Sequence, residues 1–254
     1  MSVTTSAPRP TLATLDKLAE LLQAFSPERP LWTLREISRH LGWDKATTHR
    51  FLTKLVDLSF LERDDGGNYS HGTLALELWA RSMGASPMRQ RLTQAMSAVA
   101  RRTGLTTQAG FLDGTDVVIA LSEEGTMLVN AAARLGARLP VHATAIGKAI
   151  LAQFDDEEIV GLLPPELETF TDETVATHAK LLEEIARVRT TGVAHAWSEL
   201  ADGLDAVAIA LPRSALSAPA AIGCAGPSAG APLRRESVET ALREAGADIR
   251  LTAA

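Results

Sequence analysis

The sequence has little that would support a disulfide framework, a membrane span or a general polyanion-binding surface. Its one cysteine, Cys224, excludes disulfide bonds within the chain and any zinc site built on paired cysteines. No run of about 18 apolar residues occurs, so we expect no transmembrane helix and no membrane association. Lys and Arg number 25 against 31 Asp and Glu, a net charge of −6. Any binding of nucleic acid must therefore depend on where the cations lie.

The features of an exported protein are also missing. Residues 1–10 are rich in Ser, Thr and Pro and contain no apolar segment, which indicates a loose tail and not a signal peptide. With the single cysteine, this predicts a cytoplasmic protein. Apolar residues are abundant, at 46% of the chain. Its 254 residues are thus enough for one large domain or two modest ones.

The first 72 residues combine helical periodicity with a hairpin pattern. An amphipathic helix over 12–25 is followed by a capping box, Thr33 with Glu36, that opens a second helix. Asp44 can cap a third helix, and a strand–turn–strand pattern follows over 59–70. The order helix, helix, turn, helix, hairpin predicts a winged helix-turn-helix.

The polar face of the third helix carries the candidate DNA contacts. In a helix-turn-helix the second helix of the pair enters the major groove. Arg50 can make a bidentate contact to guanine and Thr47 can reach a base or a phosphate, whereas Lys54 and Arg63 suit backbone phosphates. Alternatively, this fold only dimerises or docks a protein partner. The predicted DNA-binding residues are Lys45, Ala46, Thr47, His49, Arg50, Thr53, Lys54 and Arg63.

Beyond residue 72 the pattern becomes a mixture of strands and helices without a strict βαβ repeat, which predicts an α+β fold. We expect four parts: a tail over 1–10, a DNA-binding domain over 11–72, a linker helix over 73–87 and a second domain over 88–254. In the second domain, strands are predicted over 108–112, 117–121, 127–129, 206–211 and 220–225, and helices over 88–102, 144–153, 155–163, 174–190 and 234–251.

Three features invite an enzymatic or metal-binding interpretation, and each has a simpler one. Residues 226–230 spell G-x-S-x-G, but no histidine follows Ser228, as a hydrolase triad in that chain order would need. Cys224 within an apolar strand is typical of a small core residue, so pairing with His142 or His195 is not expected. The acidic run over 155–158 suits the first turn of a helix. We predict no enzyme activity, cofactor or metal.

Two stretches resemble one family. Asp44-Lys45-Ala46-Thr47-Thr48-His49-Arg50-Phe51-Leu52 is similar to the recognition helix of the IclR family of bacterial transcription regulators. Leu139-Pro140-Val141-His142-Ala143-Thr144-Ala145-Ile146-Gly147-Lys148-Ala149 is close to the most recognisable segment of that family. The spacing to 203–204 and 226–227 fits as well, so the resemblance extends from about residue 11 onward. It implies a GAF-like C-terminal domain with a sheet of about six strands and a pocket for a small organic effector.

The resemblance also implies which positions face the effector, and several of them are unusually apolar here. Ala196 stands where relatives often have an acid, Gly223 and Ala225 where serines are frequent, and Ala206 where a cysteine is frequent. These changes predict a more apolar or aromatic effector than a short keto acid. The alternative is a vestigial pocket filled by its own side chains. The implied positions are Leu128, Ala131, Leu139, Ala145, Ile146, Ala196, Leu204, Gly223 and Ala225, with Trp197 as a flat wall.

The sequence thus predicts a DNA-binding transcription regulator whose operator affinity depends on a small effector. The resemblance implies dimers, possibly paired into tetramers, on an approximately palindromic double-stranded operator. The alternative is a small-molecule sensor or protein-interaction module with no specific operator. Activation and repression are equally compatible with these parts.

Overall fold

The computed structural model describes residues 13–26, 28–84, 87–126, 134–213, 218–228 and 235–253. The chain divides into two compact units, residues 1–85 and residues 86–254. Helices and strands are mixed in both, with a helix-turn-helix in the first and a six-stranded sheet in the second, which confirms the predicted fold class. None of the helices within these ranges is long and apolar enough to cross a membrane.

The first unit is a three-helix core with a small sheet. Leu21, Ile37, Leu52 and Leu55 are buried between its helices. Thr33 and Glu36 form the expected capping box, and Gly42, with φ of +67°, turns the chain between the pair of helices. The elements are α1 (Ala13–Gln23), β1 (Trp32–Thr33), α2 (Leu34–His40), α3 (Lys45–Asp57), β2 (Leu61–Arg63), β3 (Asn68–His71) and α4 (Thr73–Gly84).

The hairpin of this unit gains a third strand that the sequence pattern did not predict. The strand order is β1–β3–β2, all antiparallel, with Trp32 opposite Tyr69. Both aromatic side chains are buried in the core of the unit. The added strand therefore fixes the base of the wing to the helices.

The second unit is a six-stranded antiparallel sheet with helices on both faces. The strand order is β6–β5–β4–β9–β8–β7. Strands β6 and β7 were not predicted, and the predicted strand over 127–129 lies outside the described residues. The elements are α5 (Pro87–Thr103), β4 (Thr106–Asp113), β5 (Asp116–Glu123), β6 (Arg138–Pro140), α6 (Ala145–Leu151), α7 (Asp156–Leu162), α8 (His178–Thr191), β7 (Ala194–Trp197), β8 (Leu204–Ala210), β9 (Ala220–Pro227) and α9 (Arg235–Ala253).

Each face of this sheet has its own hydrophobic core. On one face, α5 and α9 cover Val207 and Ile222. On the other, α6, α7 and α8 cover Ala208 and Ala221. Because strand residues alternate between faces, the even residues of β8 and the odd residues of β9 point toward α6.

Candidate functional sites

The N-terminus of α3 is held rigidly by its cap. Asp44 accepts a hydrogen bond from the Thr47 backbone N–H at 2.8 Å, and Thr48 Oγ1 donates to the Asp44 carbonyl at 2.9 Å. The bond from Thr47 keeps the pKa of the Asp44 carboxyl below its ordinary value, so the cap stays ionised and accepting. The first turn of α3 is therefore fixed before any ligand arrives.

One face of α3 is buried and the other is open to solvent. Thr48, Leu52 and Leu55 are buried, at the spacing expected of one side of a helix. The structure places the predicted DNA-binding residues on the open side: Lys45, Ala46, His49, Arg50, Thr53 and Lys54 are exposed, and Thr47 is half-buried. Arg63 is exposed on the wing, in β2.

The basic side chains on α3 and the wing differ in their contacts with neighbouring residues. Lys54 Nζ lies 3.9 Å from Asp57 Oδ2, and the Arg63 guanidinium lies 5.6 Å from the centre of the Tyr69 ring. Lys45 and Arg50 form no ion pair with any residue that the structure describes. Their charges are available to a phosphate or a base edge.

The second unit contains a cavity of about 60 Å³ between α6 and the sheet. At ~10–15 Å³ per water, such a space would hold about four to six waters, the size of a small organic molecule. Its lining is mostly apolar and consists of Gln108, Leu139, Ala143, Thr144, Ala145, Ile146, Ala196, Leu200, Leu204, Ala206, Val207, Gly223, Cys224 and Ala225.

The cavity exists because small residues meet in register on the sheet. Ala196, Ala206 and Ala225 lie opposite one another across β7, β8 and β9. Gly223, two residues before Ala225 on β9, pairs with Gln108 of β4. A floor of methyl groups and one hydrogen leaves space that larger side chains would fill.

Two glycines set the distance between α6 and its surroundings. A Cβ at Gly223 would lie 2.8 Å from the Val207 carbonyl oxygen and 3.1 Å from Ile146 Cγ1. At Gly147 a Cβ would lie 2.0 Å from the Val141 carbonyl oxygen. The absence of a side chain at these positions thus permits the close approach of α6, while Thr144 caps its N-terminus.

The structure brings seven of the implied effector positions together around this cavity: Leu139, Ala145, Ile146, Ala196, Leu204, Gly223 and Ala225. Leu128 and Ala131 lie outside the described residues. Trp197 points to the opposite face of the sheet from Ala196, where it packs toward α5 and α9 and stacks on His195 with ring centres 5.0 Å apart. It therefore does not form the flat wall expected of it, because adjacent strand residues face opposite sides.

Sequence reasoning did not name Gln108, Thr144 or Leu200 as cavity residues. Gln108 is the one of these with a visible signal, since it is the polar first residue of an otherwise apolar predicted strand. Thr144 begins the predicted helix over 144–153, where a threonine indicates an N-cap and not a cavity residue. Leu200 lies in the connection between β7 and β8, for which no periodic pattern was available.

The groups that suggested catalysis have other partners. Cys224 Sγ lies 3.4 Å from Thr107 Oγ1, whereas His142 Nε2 contacts the Glu168 carbonyl and His195 Nε2 contacts Glu239. Ser228 Oγ lies 3.3 Å from Ser198 Oγ, a hydroxyl that is no general base. Asp155 forms a capping box with Glu158, and the described residues contain no group of side chains that could hold a metal.

Comparison with known proteins identifies both units. A family model for the IclR helix-turn-helix domain matches residues 14–65, and one for the bacterial transcriptional regulator IclR C-terminal domain matches residues 81–251. The chain is 31% identical over 202 residues to the HTH-type transcriptional regulator XynR of Escherichia coli K12, covering 79% of this chain and 80% of XynR.

Solved structures share the fold. An IclR transcriptional regulator from Alicyclobacillus acidocaldarius has a TM-score of 0.84 and 24% identity, covering 96% of this chain and 100% of that one. An IclR homologue from Microbacterium hydrocarbonoxydans, complexed with 4-hydroxybenzoate, has a TM-score of 0.78 and 26% identity, covering 92% and 96%. The curated relatives are named as regulators and repressors, in agreement with the prediction of no enzyme. The chain belongs to the IclR family of bacterial transcription regulators, with a DNA-binding helix-turn-helix domain and an effector-binding C-terminal domain.

Proposed function

We propose that this protein recognises an approximately palindromic operator through α3 and the wing, and that a small organic effector in the cavity changes its affinity for that operator. The observation that carries the proposal is the open face of α3, where Lys45, His49 and Arg50 are exposed beside a firmly capped first turn. Arg50 reads a base edge, while Lys54 and Arg63 hold phosphates and set the register. The protein acts in the cytoplasm, where it reaches the chromosome.

The cavity supports an effector that is more apolar than a short keto acid. Its floor is formed by Ala196, Ala206, Gly223 and Ala225, and aliphatic side chains from α6 and the loops cover it. The related protein from Microbacterium hydrocarbonoxydans binds 4-hydroxybenzoate. An aromatic ring would bury its faces against these methyl groups, with a gain of ~25 cal/mol for each Å² removed from water.

The exposed side of α4 supports assembly into at least a dimer. Leu76 and Trp79 lie three residues apart, so they share a face of the helix, and they are 67% and 57% exposed. Large apolar side chains exposed together mark an interaction surface. An operator with two half-sites requires two recognition helices, so we propose that a second copy of this chain covers this face of α4. Pairing of two dimers into a tetramer would add further DNA contacts in the same way.

Effector binding and DNA binding are then linked through the assembly. A ligand that favours one arrangement of the paired recognition helices raises or lowers operator affinity by its differential affinity for the two arrangements. Both induction and co-repression are possible outcomes of the same linkage.

The test is a gel-shift titration of the full-length protein against DNA upstream of its own gene and its neighbours, with competitor DNA at near-physiological salt. We expect specific retention by the wild type and a loss of at least tenfold in affinity for Arg50→Ala, because a bidentate contact to guanine is worth ~1–3 kcal/mol in each half-site. Arg101→Ala removes an exposed cation from α5, in the other unit, and serves as the matched control.

Equal binding by the wild type and Arg50→Ala would show that α3 does not read this DNA. No specific retention by the wild type at any of these sequences would favour the alternative, a sensor or protein-interaction module without an operator.

A further inference from the structure

Helix α2 has two exposed flanks that differ in charge. Leu34, Ile37 and Leu41 pack into the core of the first unit, so the remaining positions of the helix face away from it. Arg35 and Arg39 are four residues apart, which places them on one flank, and both are exposed. These two arginines form the basic flank of α2.

The other flank is neutralised by its neighbours. Glu36 and His40 lie there, also four residues apart. Arg29 Nη2 donates to Glu36 Oε1 at 2.7 Å, and the Arg29 guanidinium lies 3.4 Å from the centre of the Trp32 ring. The His40 ring packs on Trp32 with ring centres 4.9 Å apart. Arg29 is therefore engaged within the protein, and its charge is balanced.

The charges of the basic flank are not balanced in this way. Neither Arg35 nor Arg39 forms an ion pair with any residue that the structure describes. Like charges at this spacing destabilise a helix slightly, so the fold itself gains nothing from the pair. A polyanion lying along α2 would relieve the repulsion, because a guanidinium can donate two hydrogen bonds to one phosphate.

The basic flank borders the start of the recognition helix. Ser38, three residues after Arg35 and on the same side of α2, donates from its hydroxyl to the Trp43 carbonyl at 2.7 Å. Trp43 directly precedes the N-cap of α3, and Lys45 is exposed in the first turn of that helix. When α3 lies in the major groove, Arg35 and Arg39 therefore face the DNA strand that borders its N-terminal end.

The wing is poor in positive charge. Over residues 61–71, Arg63 is the one Lys or Arg, whereas Glu62, Asp64 and Asp65 are acidic, and all four are exposed. Carboxylates close to a phosphate repel it and offset what Arg63 gains. A recognition unit that is anchored on phosphates thus needs cations outside its wing.

We propose that Arg35 and Arg39 bind neighbouring phosphates of one DNA strand, and that this basic flank contributes more to sequence-independent affinity than the wing does. The inference rests on the proposed role of α3 in operator recognition. Four residues of helix rise ~6 Å, so the two long side chains can reach different phosphates of the same strand. Such contacts fix the position of α3 in the groove without reading the sequence.

The test is the salt dependence of DNA binding, measured by fluorescence anisotropy with the full-length protein. The operator fragment found by gel shift is compared with an unrelated duplex of equal length, between about 50 and 200 mM salt. Each lost phosphate contact lowers the slope of log K against log salt by about one. On an operator with two half-sites, we therefore expect Arg35→Gln and Arg39→Gln each to lower the slope by about two, and the double variant by about four. Affinity should fall by the same factor on both duplexes, because phosphates carry no sequence information.

Two further variants serve as controls. Arg29→Gln removes the same charge from the other flank of α2, where the guanidinium is already paired, and should leave the slope unchanged. Arg63→Gln removes the cation of the wing and should lower the slope by less than about one. An equal effect of Arg29→Gln and Arg39→Gln would show that net charge alone is responsible, and would contradict a specific contact.

The outcomes separate this inference from the proposed function. If the double variant keeps the wild-type slope and affinity while Arg50→Ala loses the operator, the role of α2 is wrong and the proposed function stands. A loss confined to the operator would show that Arg35 and Arg39 read sequence, and an effect of Arg63→Gln as large as theirs would make the wing the main anchor. Either result contradicts the inference. If the wild type binds both duplexes equally and the double variant lowers the slope, the phosphate contact is correct and operator recognition is wrong. If the wild type binds neither duplex, both are wrong.

Discussion

At the scale of the residue, Lys148 shows how residues 139–149, the segment most similar to the IclR family, stabilise the fold. A fully buried ammonium is tolerated only when it is paired, and here Glu199 and Glu184 supply the partners. Burial raises the pKa of the Glu199 carboxyl even though Lys148 opposes that effect. The ion pairs join α6 to α8 and to the β7–β8 connection, which carries the cavity residue Leu200. They thus hold part of the cavity wall in place.

The single cysteine should be chemically inert in the folded protein. Cys224 is 1% exposed, and burial raises the pKa of its thiol to about 11. Since the thiolate is the reactive species, we expect no reaction with an aromatic disulfide reagent at pH 8 in buffer, and complete reaction of one thiol per chain in denaturant. Rapid labelling of the native protein would contradict the buried position in β9.

The raised pKa also has a consequence for stability above neutral pH. An unfolded cysteine loses its proton near pH ~8.5, whereas the native thiol keeps its proton to about 11. The folded state therefore binds the extra proton between these values, and this contribution to stability is present at lower pH and lost as the pH rises through that window. We expect the stability of Cys224→Ser to fall less than that of the wild type as the pH rises through this window. Thermal melts of both proteins over the same pH range measure the difference.

At the scale of the element, the packing of helix α6 depends on Gly147, because any side chain at that position would force the backbone to move. A Cβ at Gly147 would meet the Val141 carbonyl oxygen at 2.0 Å and its carbonyl carbon at 2.6 Å. We expect Gly147→Ala to destabilise the second unit by about 3 kcal/mol or more, the upper range for overpacking. Chemical denaturation of the full-length protein measures this loss.

Gly161 in α7 is the matched control. Nothing lies within 4 Å of a Cβ built there, and its φ is not positive. Alanine has the higher helix propensity, so Gly161→Ala should be neutral or stabilising by up to ~1 kcal/mol. Equal destabilisation by the two substitutions would show that close packing at Gly147 is not the cause.

The long periodic elements could be predicted from the sequence, and the short ones could not. Helices α2 and α3 have their own signals, a capping box at Thr33 and an N-cap at Asp44, together with an apolar stripe. Strand β1 is two residues long, and β6 is Arg-Leu-Pro. Strand β7 reads Ala-His-Ala-Trp, without a β-branched residue. Such segments become strands because a neighbour pairs with them, and that information is not local.

The candidate DNA-binding face could be predicted from local periodicity, whereas the arrangement of the cavity residues depends on strand pairing and could not. The open face of α3 follows from helical periodicity alone, which places Arg50 opposite Leu52 and Leu55. The cavity positions were implied by resemblance, and their assembly depends on the register of β7, β8 and β9. Because β7 was not predicted, nothing in the sequence showed that Ala196 and Trp197 face opposite sides of the sheet.

At the scale of the whole molecule, charge makes a single recognition unit a weak DNA binder. Residues 1–80 contain nine Lys and Arg against ten Asp and Glu, so the cations on α3 and the wing act within a surface that is neutral overall. Phosphate neutralisation by one such unit gives modest affinity. Two units held together by the same assembly add their contacts, because the second binds at high effective concentration.

Trp79 in α4 tests whether such an assembly forms as proposed. We expect Trp79→Glu to shift the protein toward monomer in sedimentation velocity, because a charge would be buried where a second copy covers this helix face. Operator affinity should fall more than tenfold in the same variant, while affinity for a single half-site stays unchanged. Val160→Glu introduces the same charge at a half-exposed site in α7 and should alter neither property. If Trp79→Glu keeps both its oligomeric state and its operator affinity, the exposed side of α4 is not the interface, and the pairing of recognition helices must depend on another surface.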